Sequence, residues 1–333
     1  MADVENRRRG RSGQPNPKRE ARARAAEKHT AAVSGAWAKD IERSLAGVAT
    51  YDGMPASWLA EQKAKAAAAE AAAAEDAAAE PVLPEVRVLD MTPTQAILDN
   101  GRGYAQFCDM AVLDAASFTN PGGGYIQGYL GQESTLCADS YLYNVLKEQR
   151  GWYGENRRRN INCELYRNRA LVVPAVRFDR AHVHAYADVI VAAAPNAKRA
   201  RQEYNVGEDA LLDALRDRVR FALAVCDDLG REKLVLGAFG CDNQGFDAEV
   251  VAEVFRSELA SGDFKVKQVF VAVPQSRWDD NAPKFQHVLG AFPAAPAESY
   301  AEAAARAAAT RAAQEAEAAE DDDEDEDDWR KYL

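Results

Sequence analysis

Residues 187–193 read ADVIVAA, residues 233–239 read KLVLGAF and residues 267–273 read KQVFVAV. Each is a nearly continuous apolar run, the pattern of a strand covered on both faces. Helix patterns lie between them. From Glu208 to Leu229, the residues Leu211, Leu215, Val219, Ala222 and Cys226 recur at spacings that line one face, and Gly230 follows as a stop. Asp247 is placed to cap a second helix through Leu259, with Val250, Val251, Val254 and Phe255 inward. Strand, helix, strand, helix, strand predicts parallel crossovers and a sheet with helices on both sides.

Working outward, residues 86–89 and 111–114 are short candidate strands. Thr92 caps a helix that opens with Pro93, and residues 134–146 predict another helix, followed by a polar stretch over 147–160. Residues 86–292 have the mixed composition of one packed domain. Residues 17–85 predict a helical extension, helix-compatible from Lys18 to Leu45. It ends in the Ala/Glu-rich linker KAKAAAAEAAAAEDAAAE (63–80), which Pro81 and Pro84 terminate. Residues 1–16 and 293–333 are expected to be disordered tails, too poor in large apolar residues to offset the entropy of ordering.

Hydrophobic residues make up 47% and charged residues 28%, and the formal charge is -12. Most of that charge sits in one acidic run, Glu320–Asp328. The folded part therefore lacks the concentrated basic surface of a general nucleic-acid binder, and no sequence-specific nucleic acid is expected as a partner. No apolar stretch reaches the length of a membrane span, so no membrane is expected. The N-terminus has basic residues without an apolar segment behind them, unlike a secretory signal. Five scattered cysteines without a C-x-x-C pair argue against a disulfide framework or a zinc knuckle, and a cytoplasmic location fits. No cofactor or metal is called for.

Two segments can carry chemistry. Asn120–Ser134, NPGGGYIQGYLGQES, places Gly122, Gly123 and Gly124 after a candidate strand and before a candidate helix. Glycines there permit positive φ and close approach of backbone to a ligand, and the amides suit anionic or polyhydroxylated groups. An ordinary glycine-rich turn is the alternative. No G-K-[ST] follows, so it is not a Walker A loop. The second segment, GAFGCDNQGF (237–246), again leaves a strand end, with Gly237, Gly240 and Gly245. Two such loops at one sheet edge can flank one cleft, and a phosphate-bearing ligand suits them. Cys241 is either a nucleophile or a packed small residue. His182 and His184, at i, i+2, lack a clear third ligand. Asp114 ends the strand before the first loop and either meets ligand or caps a turn. Trp152, Tyr153, Arg157, Arg158 and Arg159 make an aromatic-plus-basic patch, either a surface for a polyanionic polymer or a solvated loop.

NPGGGYIQG…QES…LY resembles the signature of microbial-type poly(ADP-ribose) glycohydrolases, which runs from NPGGG to Q-E-E and a helix ending in L-Y. The Ala/Arg-rich N-terminal helix, VIVAAAPNAKR (189–199) and LGAFGC (236–241) agree in order. The resemblance implies an α/β fold, a macrodomain-like three-layer α/β/α sandwich that binds ADP-ribose, and a hydrolase of the glycosidase type that cleaves poly(ADP-ribose) or ADP-ribosyl linkages. It implies ADP-ribose or poly(ADP-ribose) as ligand, with an ADP-ribosylated protein as a further candidate partner. Carried over, the ligand-binding residues are Asn120, Gly122, Gly123, Gly124, Gln132, Ser134, Gly237, Gly240, Cys241 and Phe246. Ser134 stands where the family has its general acid, which leaves Glu133 as the only motif carboxylate able to act. Asp242, Asn243 and Gln244 replace an aromatic that relatives pack on adenosine, with Phe246 as a substitute. Three readings follow: a glycohydrolase acting through Glu133, an ADP-ribose-binding module whose catalysis is impaired, and an interaction protein whose acidic tail docks a basic partner.

Overall fold

The computed structural model describes residues 16–73, 81–311 and 314. The acidic run and residues 74–80 of the Ala/Glu-rich linker lie outside the described residues, whereas residues 63–73 of the linker belong to a helix. The helices are α1 (Pro17–Ala36), α2 (Ala38–Ala46), α3 (Ala56–Ala73), α4 (Pro93–Asn100), α5 (Gln132–Ala138), α6 (Leu142–Leu146), α7 (Arg150–Arg159), α8 (Ala197–Tyr204), α9 (Glu208–Asp228), α10 (Ala248–Leu259) and α11 (Asn281–Leu289). The strands are β1 (Ala49–Asp52), β2 (Glu85–Leu89), β3 (Met110–Ala115), β4 (Arg169–Arg180), β5 (Val183–Ala192), β6 (Lys233–Leu236) and β7 (Gln268–Ala272).

All seven strands form one sheet in the order β1-β4-β5-β3-β6-β7-β2. The five from β5 to β2 run parallel, whereas β4 and β1 are antiparallel additions at one side. The strand pleat divides the core. Ala111 and Leu113 of β3 face α9, α10 and α11, whereas Met110 and Val112 face α4, α5, α6 and α7. The result is the three-layer α/β/α sandwich. Leu211, Leu215, Val219, Ala222 and Cys226 of α9 are all buried, each large aliphatic contributing about 1.5–3 kcal/mol relative to exposure. Asp247 caps α10 by accepting from the Glu249 amide at 2.8 Å, and Thr92 caps α4 through the Gln95 amide.

The structure corrects several expectations. Val250 is exposed, because it lies outside the arc of α10 that Val254, Val251 and Phe255 turn inward. The single helix over 134–146 is two helices, broken at Asp139–Tyr141, where the Ser140 hydroxyl donates to Leu136 O and accepts from the Leu142 amide. The polar stretch over 147–160 contains α7. The N-terminal extension is not only helical, since it supplies β1 to the sheet edge. Residues 300–311 form a helix, and its first residue donates its amide to Glu249 at 2.7 Å, so this part of the C-terminal segment packs on α10.

Candidate active site

Parallel strands deliver their carboxyl ends to one edge of the sheet, and the loops there enclose a cleft of about 490 Å³. Three loops matter: the first glycine loop after β3, the second after β6, and residues 273–279 after β7.

In the first loop Gly122, Gly123 and Gly124 have φ of 69°, 57° and 105°. Glycine adopts three successive left-handed residues without the steric cost that other residues incur. A β-carbon on Gly123 would lie on Glu133 Oε2, so the bare backbone is what lets this carboxyl approach. Glu133 Oε2 also accepts from the Ser117 amide at 2.8 Å, whereas Oε1 is buried without a protein partner. Behind it lies Asp114, fully buried, with neither carboxyl oxygen bonded. Burial pushes the Asp114 carboxyl up to about 8. Burial, and next the neighbouring Asp114, raise Glu133 well above the ordinary glutamate range, against the opposing pull of the Ser117 and Gly122 amides. Two buried acids side by side cannot both ionise, so the pair holds a proton near neutral pH. The Tyr153 hydroxyl, buried and unbonded, and the Cys137 thiol share this environment, and burial raises both. Such a carboxyl at a cleft wall is equipped to donate a proton.

Gln132 joins the two glycine loops. Its Nε2 donates to Leu113 O at 2.8 Å, and its amide lies where a β-carbon on Gly237 would go. Ser134 lines the cleft one residue beyond Glu133. Tyr166 reaches the cleft from the loop before β4, in which Asn162, Cys163, Glu164 and Tyr166 all have positive φ. That backbone costs on the order of 1 kcal/mol per residue. It is held by the buried Glu164 carboxylate, which accepts from the Tyr166 hydroxyl at 2.9 Å and pairs with Arg199 at 2.8 Å. The Tyr166 ring stacks on Phe118 at 4.4 Å.

Of the anticipated residues, Gly123, Gln132, Glu133, Ser134, Gly237 and Cys241 line the cleft together. Gly122 and Gly124 pack against Tyr143 and Tyr129, Gly240 packs against Ala194 and Phe246, and the Asn120 carboxamide accepts from Arg157. Phe246 is buried in the core below the second loop and offers no face to an adenosine. The Cys241 thiol is buried and its ionisation is disfavoured by that burial, so it is no activated nucleophile. Trp152 and Tyr153 are buried too, which leaves only the arginines of that patch at the surface. His182 lies in the β4–β5 turn with φ of 68°, off the strand face of His184. No group of three metal-ligating side chains occurs among the described residues. Sequence reasoning missed Ser117, Tyr166, Asn196 and the loop after β7. Their one signal was position, since each sits just beyond a strand end or next to a glycine loop.

A sandwich with a glycine-lined cleft at the carboxyl edge of its sheet is macrodomain-like. Solved structures share it. A poly(ADP-ribose) glycohydrolase from Thermomonospora curvata superposes with a TM-score of 0.62 at 24% identity, over 80% of this chain and 98% of that one. The same enzyme bound to the inhibitor ADP-HPD gives 0.62 at 23% identity over the same shares. The Deinococcus radiodurans poly(ADP-ribose) glycohydrolase in complex with ADP-ribose gives 0.58 at 25% identity, over 76% and 98%. Residues 25–181 match the family model of the microbial-type PARG catalytic domain, and this match together with the solved structures supports the microbial PARG family for the chain. No curated protein matches it.

Proposed function

We propose that the protein is an ADP-ribosyl glycohydrolase that binds ADP-ribose along the cleft and uses Glu133 as its proton donor. The observation that carries this reading is the Glu133 carboxyl itself: buried at the cleft wall, kept proton-rich by that burial and next by Asp114, and open to Gly123 because that residue has no side chain. Cleavage breaks the bond between the anomeric carbon and the leaving oxygen. The proton passes from Glu133 to that oxygen, and water adds to the oxocarbenium-like carbon and returns a proton to the Glu133 carboxylate. Loop amides serve the diphosphate, because no Lys or Arg lines the cleft among the described residues.

A second reading, an ADP-ribose-binding module without turnover, is favoured by one observation. The family's acid position is Ser134, whose hydroxyl is a poor proton donor at neutral pH. Substitution separates the two. Under the first reading Glu133→Gln retains ADP-ribose binding by calorimetry and lowers poly(ADP-ribose) hydrolysis about 10²–10⁴-fold. Under the second, wild type is inert and Ser134→Glu gains turnover. An active wild type that Glu133→Gln does not slow overturns the assignment of Glu133. The acidic tail, on which the third reading rests, lies outside the described residues.

A further inference from the structure

Beside the glycine loop, at the end of α7, four arginines form no ion pair of their own among the described residues, although Arg159 and Arg158, after Arg169, help to hold the Glu155 carboxyl below its ordinary range. Arg157, Arg158 and Arg159 form the last turn of α7 and are all exposed. Arg167 joins them, because its amide donates to the carbonyl of Asn160, the residue that ends α7. Among the described residues, none of the four has a carboxylate within 4 Å. The nearest acid on the helix, Glu155, is engaged by Arg169 at 2.8 Å. Among the other exposed arginines of the described residues, Arg43, Arg87, Arg199 and Arg216 are paired, whereas those without an ion pair, Arg19, Arg150, Arg180, Arg277 and Arg311, are scattered rather than clustered. Favourable interaction with the α7 dipole accounts for one or two cations at its end, but not for a third, nor for Arg167 outside the helix.

Arg157 ties this edge to the site. Its Nη2 donates to Thr119 O at 2.7 Å and to Asn120 Oδ1 at 3.3 Å. The same short segment gives its Ser117 amide to Glu133, and Asn120 O accepts from the Gly123 amide at 3.2 Å. Residues 117–123 are thus grasped by the reactive carboxyl on one side and by Arg157 on the other. The leaving oxygen must sit at Glu133, so whatever it belongs to projects past this rim. No lysine or arginine lines the cleft among the described residues, whereas Arg157 holds its rim and Arg158, Arg159 and Arg167 lie beside Arg157 at the end of α7.

We infer that Arg157, Arg158, Arg159 and Arg167 form a subsite outside the cleft for the diphosphate of the adjoining unit of an ADP-ribose polymer, the unit that carries the leaving oxygen. This rests on the proposed glycohydrolase reading and names the acceptor that the site prefers. Guanidinium groups suit the role because they bind phosphate oxygens in pairs and remain charged at any physiological pH. Consecutive helical residues fan about 100° apart, so the turn offers cations around an arc instead of at a single point.

The test compares poly(ADP-ribose) of defined length with monomeric ADP-ribose, on wild type, Arg167→Ala and the double variant Arg158→Ala/Arg159→Ala. Affinity is read by titration. Where the polymer is consumed, initial kcat/KM takes its place. Each variant is expected to weaken polymer recognition about 3- to 10-fold and to lower the log–log salt slope by about one for each phosphate that it no longer neutralises. Affinity for ADP-ribose, which lacks the adjoining unit, stays unchanged and reports that the fold is intact. Unaltered polymer recognition, or equal weakening of both ligands, overturns the inference while leaving the glycohydrolase reading standing. A wild type that binds no ADP-ribose overturns that reading and the subsite with it. An RNA oligonucleotide of equal charge that binds as tightly as the polymer reassigns the edge to polyanions in general and also overturns it.

Discussion

Gly123 and Asp114 set the chemistry of the cleft from opposite sides of one carboxyl. At Gly123 any side chain meets Glu133 Oε2 and must also adopt φ of 57°. Gly123→Val is therefore expected to lower ADP-ribose affinity at least about tenfold, since a branched β-carbon penalises left-handed backbone by about 1–2 kcal/mol before any clash is counted. Calorimetry checks it, and affinity within twofold of wild type refutes it. Asp114 has a raised pKa in the folded state, about 8 against an ordinary value of about 3.9. The folded protein then holds a proton that the unfolded chain releases above about pH 4. Stability from this group is complete below that pH and is lost as pH rises through about 8. Thermal melts should fall across that window, and Asp114→Asn should flatten the fall. A profile identical in the variant would show that other groups cause it.

The element that positions the first loop is α1. Arg22 Nε donates to Gly128 O at 2.8 Å, the Arg19 guanidinium lies over the Tyr129 ring, and a β-carbon on Gly128 would meet the Arg19 carbonyl oxygen. Gly128→Val is expected to lower Tm by at least about 5 °C, because it combines a backbone clash with φ of 75°. A parallel loss of ADP-ribose affinity, read by the same titration, would confirm that the loop itself has moved. Not every element was equally legible in the sequence. β5, β6, β7, α9 and α10 announce themselves because strands buried on both faces and long amphipathic helices have strong periods. β4 is hidden by Pro174, which splits its apolar run at the bulge between Val173 and Val176. β1 has only four residues and alternates. The glycine loops stand out because glycine is the residue that takes up left-handed backbone at no steric cost. Tyr166 does not, because its left-handed turn is built from Asn162, Cys163 and Glu164, held by contacts from distant parts of the chain.

At the scale of the whole molecule, the C-terminal segment docks on α10 and α11 through the start of its helix. The Tyr300 amide bonds Glu249, and His287 contacts Glu298 O at 2.9 Å and the Tyr300 ring. Truncation after Arg311 is expected to leave Tm within about 1 °C of wild type. Truncation after Pro293 removes those interactions and should lower Tm by about 2–4 °C for each kcal/mol they supply. Equal melting of the two truncated proteins would show that 294–311 adds nothing to the fold.

The grip of α1 on Gly128 also sets an order of events during synthesis. Arg22 and Gly128 are 106 positions apart, and β2 waits for a partner strand 183 positions downstream, as the Glu85–Gln268 pair records. At roughly 5–20 residues per second, α1 emerges about 5–20 s before the loop it must hold. During that interval Arg19, Arg22 and the buried positions Ala26 and Val33 have nothing to dock on. Pairings this distant in sequence also slow refolding of the finished chain. The ability to bind ligand should thus lag behind the return of helical signal in a refolding experiment, because three left-handed glycines stay in place only after the first and middle parts of the chain have met.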